Sequence, residues 1–315
     1  MNSFSESRTY CGRRVLVMGA SGFIGRNLAG ALAQTGADLH VVLRRPAEGL
    51  PGTPHSADLL APGAASDLIQ SLKPDVVFSL AGYGIDRTQT GEIPARRINQ
   101  ELPEEVARAC SQLPELWKGM TLVHVGSALE YGSATGDLDE SSHPLPTTLY
   151  GHTKLAGTLA VEAVARVTGL RCVTARLFTV YGPWEKEGRL LPSLIQTAHS
   201  GGRLPLTEGS QQRDFTFVGD VVEGLLRLGA CQLPVTPIVN LATGTLQTVR
   251  QFVLEAAELL DLRPHQLAFG EVPMRPEEMS HLPVAIHRLR RLLGWVPQTT
   301  VADGIRQTIA LGAFL

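Results

Sequence analysis

Tyr150 and Lys154 stand four residues apart in Tyr150-Gly151-His152-Thr153-Lys154, at the start of a stretch that reads as a helix. This spacing sets a phenol and an ammonium on one helical face, with Cβ atoms about 5–6 Å apart. The pair suits proton transfer. Bringing a tyrosine pKa from about 10 to neutrality takes about 4 kcal/mol. An ammonium ~5 Å away supplies about 3 kcal/mol of that at an effective dielectric of about 20. Ser127 adds a hydroxyl at the end of the strand-like run Leu122-Val123-His124-Val125, within Gly126-Ser127-Ala128-Leu129-Glu130-Tyr131-Gly132. At the carboxyl edge of a parallel sheet it could donate to a carbonyl while Tyr150 exchanges the proton. Tyr-x-x-x-Lys alone also occurs in ordinary helices, and Ser beside Gly is commonly a turn residue.

A second group of residues suits phosphate. Gly19-Ala20-Ser21-Gly22-Phe23-Ile24-Gly25 follows the apolar run Val15-Leu16-Val17-Met18 and opens a helical stretch. Bare backbone at Gly19 and Gly22 permits a tight turn close to a pyrophosphate, Gly25 permits close helix–sheet packing, and the helix N-terminus faces the anion. A dinucleotide with unphosphorylated ribose is normally met by a carboxylate some 20 residues further on. Here that stretch reads His40-Val41-Val42-Leu43-Arg44-Arg45-Pro46. Two guanidiniums suit a ribose 2′-phosphate, which points to NADP(H) rather than NAD(H). Asp58 is a candidate acceptor for the adenine amino group, or else a helix cap.

These residues need elements to hold them. Strand-like segments at Val15–Met18, Leu39–Leu43, Asp75–Leu80, Leu122–Val125 and Cys172–Leu177 alternate with helical ones at Phe23–Gln34, Ala65–Leu72, Arg97–Gln112 and Leu149–Val167. Such alternation predicts an α/β fold, a doubly wound parallel sheet with helices on both faces. After about Tyr181 prolines interrupt the rhythm. Helices are expected around Leu190–His199, Val218–Leu228, Thr248–Leu260, Ile286–Leu293 and Val301–Ala310. The division expected is a dinucleotide-binding Rossmann domain over residues 1–180 and a smaller mixed C-terminal domain over 181–315, with a segment around 215–245 returning to the sheet.

Composition narrows the class. Hydrophobic residues make up 43% of 315 residues, enough for a packed core, and 28 Lys+Arg against 30 Asp+Glu leave a charge of -2, which gives no field for nucleic acid. No apolar run has the ~18 residues needed to span a bilayer, and the first residues lack a signal-peptide pattern. Cys11, Cys110, Cys172 and Cys231 are too scattered for zinc or a disulfide framework, and the histidines show no metal-ligand spacing. The expectation is a cytoplasmic protein without metal or membrane partner.

Taken together, Gly19 to Gly25, Ser127 and the Tyr150/Lys154 pair resemble the extended short-chain dehydrogenase/reductase family, in its nucleotide-sugar branch. Further matches are Arg176-Leu177-Phe178-Thr179-Val180-Tyr181-Gly182-Pro183, Gln212-Arg213-Asp214-Phe215-Thr216-Phe217-Val218-Gly219-Asp220 and Arg275-Pro276-Glu277, so the likeness runs from about Arg13 to Ala310. The resemblance implies a catalytic trio of Ser127, Tyr150 and Lys154, with Lys154 also holding the nicotinamide ribose. It implies cofactor contacts at Gly19, Ser21, Gly22, Phe23, Ile24, Gly25, Arg44, Arg45, Asp58, Leu59, Leu80, Ala81, Tyr150 and Lys154. It assigns the nucleotide diphosphate to Arg213 and Arg275, whose alternative is ion pairing with Asp214 and Glu277. It also implies a homodimer built on Arg97–Gln112 and Leu149–Val167. Members that dehydrate sugars have acids just after the hydroxyl residue, where this chain has Ala128 and Leu129. Glu130, one place further, either contacts substrate or anchors the loop. The expected activity is therefore NADPH-dependent reduction of a nucleotide-activated 4-keto-6-deoxy sugar. The alternatives are an NAD-dependent nucleotide-sugar 4-epimerase and a cofactor-binding protein without catalysis.

Overall fold

Val15, Leu16, Val17 and Met18 are fully buried because their strand, β1 (Arg14–Met18), has a parallel neighbour on each edge and helices over each face. The computed structural model describes residues 9–85, 88–232, 237–274, 279 and 281–312. Along the chain β1 is followed by β2 (Asp38–Leu43), β3 (Thr53–Ser56), β4 (Val76–Ser79), β5 (Leu122–Ser127) and β6 (Cys172–Leu177). The shorter β7 (Thr179–Tyr181), β8 (Leu204–Leu206), β9 (Gln212–Arg213) and β10 (Phe215–Phe217) precede β11 (Ile238–Leu241), β12 (Gln247–Thr248) and β13 (Leu267–Phe269). One parallel seven-stranded sheet runs in the order β11-β6-β5-β4-β1-β2-β3. The strand order reverses between β1 and β4, and in such sheets ligands bind outside the carboxyl ends at that crevice. The short strands pair separately, β7 with β10, β8 with β13 and β9 with β12.

Alternation along the strands sorts the core into two layers. Val15, Val17, Val41, Phe78, Val123 and Val173 meet α1 (Phe23–Ala33) and α7 (Val218–Ala230) on one face. Leu16, Met18, Val42, Val77, Leu122 and Cys172 meet α2 (Ala64–Leu72), α4 (Leu102–Cys110) and α5 (Leu149–Thr168) on the other. The strand positions are therefore near-continuously apolar, as a sheet covered twice requires.

Two elements differ from the pattern the sequence suggests. Strand β3, Thr-Pro-His-Ser, has no apolar alternation, and as the edge strand beside β2 it tolerates Pro54. The helix expected over Arg97–Gln112 begins earlier, as α3 (Glu92–Arg96), and passes through a wide π turn at Arg97–Glu101 before α4. There Gly157 of α5 comes so close that a Cβ would lie 2.0 Å from the Asn99 carbonyl oxygen. Asn99 in turn bonds the Tyr83 backbone and the Thr153 hydroxyl, which fastens the loop after β4 to α5. After β7 come α6 (Leu190–Ser200), α8 (Val249–Leu259), α9 (His287–Leu293) and α10 (Val301–Leu311). Among the described residues no helix is long and apolar enough to cross a membrane.

Candidate functional site

The glycine loop is a cradle with no room for side chains. Gly19 has φ +83°, and a Cβ there would lie 2.8 Å from the Ala81 nitrogen and the Leu80 carbonyl carbon. A Cβ on Gly25 would lie 2.1 Å from the Gly19 oxygen. Gly22 caps α1 without any side-chain bond, so the first-turn N–H groups are left to other acceptors. Ser21, Phe23, Ile24, Leu80 and Ala81 are at least partly exposed around this turn at the carboxyl edge of the sheet. The cradle fits a dinucleotide pyrophosphate. Arg44 and Arg45 are the first residues beyond β2, both exposed. Asp58, with Leu59 beside it, lies beyond β3. Its carboxylate accepts the Leu60 N–H at 3.1 Å and so caps a turn, while α2 is capped by Gly63.

Ser127 ends β5 and caps the short helical turn Ala128–Glu130. Its hydroxyl oxygen accepts the Leu129 N–H at 3.2 Å, and it lines one cleft with Tyr150. Tyr150 and Lys154 lie in the first turns of α5, whose N-cap Thr148 accepts the Gly151 N–H at 3.0 Å. Gly151 packs so tightly that a Cβ would lie 2.4 Å from the Leu129 carbonyl oxygen, bringing the helix start against the serine loop. Lys154 is buried and donates to the Val125 carbonyl at 2.6 Å.

The electrostatics correct one expectation. The phenol of Tyr150 is pushed up to about 12, first by burial and second by the Glu130 carboxylate, with Ser127 and Arg189 acting the other way. Burial lowers Lys154 to about 8, and Glu130 opposes that shift. Lys154 is not among the groups that act on the phenol, and its head is turned to the Val125 carbonyl, its charge penalised by burial. Glu130 is corrected as well. It is fully buried, accepts from the Ser127 N–H and the Thr158 hydroxyl, and pairs with Arg176 at 2.8 Å, so it anchors the loop and does not contact substrate.

In front of the trio opens a cleft of about 530 Å³, lined in part by Ser127, Tyr150, Thr148, Arg189, Arg213 and His281. A second cavity of about 360 Å³ continues from it, and Thr179, Arg189 and Arg213 line both. Arg213 donates to the Gln212 and Met279 carbonyls. Asp214 is no partner for it: that carboxylate is buried on the Thr243 and Gly244 N–H groups and the Thr216 hydroxyl. Arg275 lies outside the described residues.

Arg189 and His281 escaped the sequence reading. Arg189 stands among charged surface residues just before α6, and nothing local distinguishes it. The ring of His281 accepts the Asp214 N–H at Nδ1, which leaves the remaining proton on Nε2. Burial, with Arg213 nearby, lowers it to about 3. Between its ordinary 6.5 and that value the unfolded chain takes up a proton that the folded chain refuses. Stability therefore falls as pH drops through this window, by about 2 kcal/mol at about pH 5 from this residue. His281→Asn keeps an acceptor for the Asp214 N–H and should flatten the pH dependence of urea unfolding midpoints; an unchanged slope would assign the acid sensitivity elsewhere.

Among the described residues, ligand atoms of Asp139, Glu140 and His287 gather within 4.8 Å, but Arg288 stands 3.6 Å from Glu140 and provides the countercharge.

Comparison with known proteins agrees with this geometry. The family model described as NAD dependent epimerase/dehydratase family matches residues 15–242. The dTDP-6-deoxy-L-talose 4-dehydrogenase (NAD(P)(+)) of Kitasatospora kifunensis is 31% identical over 312 residues, spanning 93% of this chain and 94% of that protein. The GDP-6-deoxy-D-mannose reductase of Pseudomonas aeruginosa is 28% identical over 313 residues, spanning 95% and 96%. The solved structure of MoeE5 in complex with UDP-glucuronic acid and NAD superposes with a TM-score of 0.83 at 29% identity, over 95% of this chain and 98% of that one.

Proposed function

Because the chain belongs to the NAD dependent epimerase/dehydratase family of extended short-chain dehydrogenases/reductases, we propose that it is an NADPH-dependent reductase of a nucleotide-activated 4-keto-6-deoxy sugar. The observation that carries this reading is a phenol that stays protonated, in a cleft that Ser127, Arg189 and Arg213 also line. A reduction starts from a protonated donor, whereas an oxidation starts from a base. The likeness to a GDP-6-deoxy-D-mannose reductase supports this direction, and the likeness to a dTDP-6-deoxy-L-talose 4-dehydrogenase supports carbon 4 of a 6-deoxy sugar as the reacting centre.

When bound, the nicotinamide supplies the hydride that reduces the keto carbon. Tyr150 gives its proton to the sugar oxygen. Ser127 donates to the same oxygen as its charge grows, its own lone pair already committed to the Leu129 N–H. Lys154 is the adjacent cation from which the phenol is re-protonated and which holds the ribose. Arg213 and Arg189, shared by both cavities, clamp the diphosphate, which sends the sugar to Tyr150 and the nucleoside into the 360 Å³ cavity. Arg275 is assigned to the same diphosphate. Gly19, Gly22 and Gly25 hold the cofactor pyrophosphate with Ser21, Phe23 and Ile24, Leu80 and Ala81 line its other side, and Asp58 with Leu59 takes the adenine. In domain terms, residues 1–180 with 215–245 form the cofactor side and the remainder of 181–315 the sugar-nucleotide side. A homodimer through α4 and α5, where Leu159 and Val167 are exposed, completes the reading; sedimentation would test it.

The cofactor assignment rests on Arg44 and Arg45 with no carboxylate beside them. Arg44→Ala/Arg45→Ala should raise the KM for NADPH roughly 100-fold, from about 1.5 kcal/mol for each lost charge-assisted bond, and leave that for NADH nearly unchanged. Equal effects on both nucleotides would reject the 2′-phosphate assignment. The reaction is tested by supplying 4-keto-6-deoxy nucleotide sugars and following NADPH. A second reading, the 4-epimerase, draws on the structural likeness to MoeE5, whose solved complex holds UDP-glucuronic acid and NAD. Stoichiometric NAD released on denaturation, with no net NADPH consumption, would favour it.

A further inference from the structure

Behind the trio lies a buried ion pair that a substrate cannot reach. Glu130 is fully buried and Arg176 nearly so. Three donors converge on the Glu130 carboxylate: the Ser127 N–H at 2.8 Å and the Thr158 hydroxyl at 3.0 Å on one oxygen, and Arg176 Nε at 2.8 Å on the other. The first oxygen sits so close beneath β5 that a Cβ on Gly126 would lie 2.7 Å from it. Arg176 lies over the Tyr131 ring, 4.5 Å from guanidinium carbon to centroid, while its Nη1 is buried without a hydrogen-bond partner. The Tyr131 hydroxyl donates to Asn240 on β11, and the Asn240 N–H donates to Glu140. One side chain thus fixes the backbone of Ser127 and, through Thr158, stands against the helix that carries Tyr150 and Lys154.

Resting on the trio assigned above, we propose that Glu130, held by Arg176, is the positioning residue of this site: it locks the Ser127 loop and, bonded to Thr158 one turn beyond Lys154, sets a fixed negative charge against the helix that carries Tyr150 and Lys154. A loop anchor needs only hydrogen bonds; the charge has a further use. The groups facing Tyr150 are Glu130, Ser127 and Arg189, with Arg213 and His281 elsewhere in the cleft. Those facing Lys154 are Glu130 and the neutral, buried His124. Among them Glu130 is the carboxylate that acts on both. Burial alone would strip Lys154 of its proton more readily, and Glu130 works against this. For Tyr150, burial and Glu130 act together, and the phenol stays a donor.

Glu130→Gln keeps the size and an acceptor oxygen but removes the charge. Wild-type and variant are labelled at the tyrosine ring carbon bearing oxygen, and the Tyr150 resonance, assigned by its loss in Tyr150→Phe, is followed against pH without added nucleotide. Titration in Glu130→Gln should begin about one pH unit lower than in wild type, a tenfold change in proton affinity. An unmoved titration overturns the proposal and leaves Glu130 a hydrogen-bonding anchor. If the single variant does not fold because Arg176 is stranded, the neutral pair Glu130→Gln/Arg176→Gln buries no charge, and Tyr150 should still titrate lower; no shift there is equally decisive. This readout does not require a known substrate, so failure to reduce any 4-keto sugar counts against the functional reading alone. Where a sugar is reduced, the alkaline limb of kcat should move to lower pH in Glu130→Gln in step with the resonance.

Discussion

Replacing Tyr150 with Phe is expected to lower kcat about 1,000-fold, the scale of a positioned general acid, or about 4 kcal/mol of barrier. The ring keeps its packing, and the loss is confined to one oxygen in the cleft that Ser127 also lines. Thermal stabilisation by added NADPH should persist, because the glycine cradle and the Arg44–Arg45 corner are untouched. Lys154→Met should behave differently: it removes the donor to the Val125 carbonyl as well as the charge, so nucleotide stabilisation and turnover should fall together. Retained turnover in Tyr150→Phe would remove the proton donor from the scheme.

The second large effect is steric. Gly25→Ala places a methyl group 2.1 Å from the Gly19 carbonyl oxygen, and this neighbour is backbone that cannot rotate away. Either α1 moves off β1 or the phosphate turn opens. We expect a loss of about 3 kcal/mol of stability and no thermal shift from either nicotinamide nucleotide. Gly30→Ala, later in the same helix, meets nothing within 4 Å and is the control. Helix propensity predicts that it is neutral or stabilising by about 0.5–1 kcal/mol. Chemical denaturation of both variants, with and without nucleotide, separates crowding at the turn from any general intolerance of α1.

Much of this architecture was legible because each sheet strand is buried on both faces and announces itself as an apolar run. Cys172–Leu177 is a strand with the expected ends, and the Gly19–Gly25 turn lies between β1 and α1 as its spacing requires. What escaped had no local signature. Thr53–Ser56 is a strand because β2 offers it an open edge, not because its residues favour one. The π turn at Arg97–Glu101 sits where Gly157, fifty-odd positions away in sequence, packs against Asn99. In the site, Ser127, Tyr150 and Lys154 could be picked out because type and spacing coincide. Glu130 could not be sorted between substrate and scaffold, since the decision belongs to Arg176 and Thr158 on other elements. Likewise the ammonium one turn from Tyr150 suggested an acidic phenol, but burial and a nearby carboxylate dominate the balance.

The sheet ends on a strand from late in the chain. Ile238–Leu241 pairs with β6 only after the segments carrying Arg189 and Arg213 have been made, and its Asn240 closes the polar chain that begins at Ser127. A shortened gene product stopping before that strand would lack a partner for Tyr131 and leave β6 with a bare edge, inviting self-association. The minimal working unit is therefore not a detachable front half. Anyone grafting this pocket onto another scaffold must carry over the late strand with it.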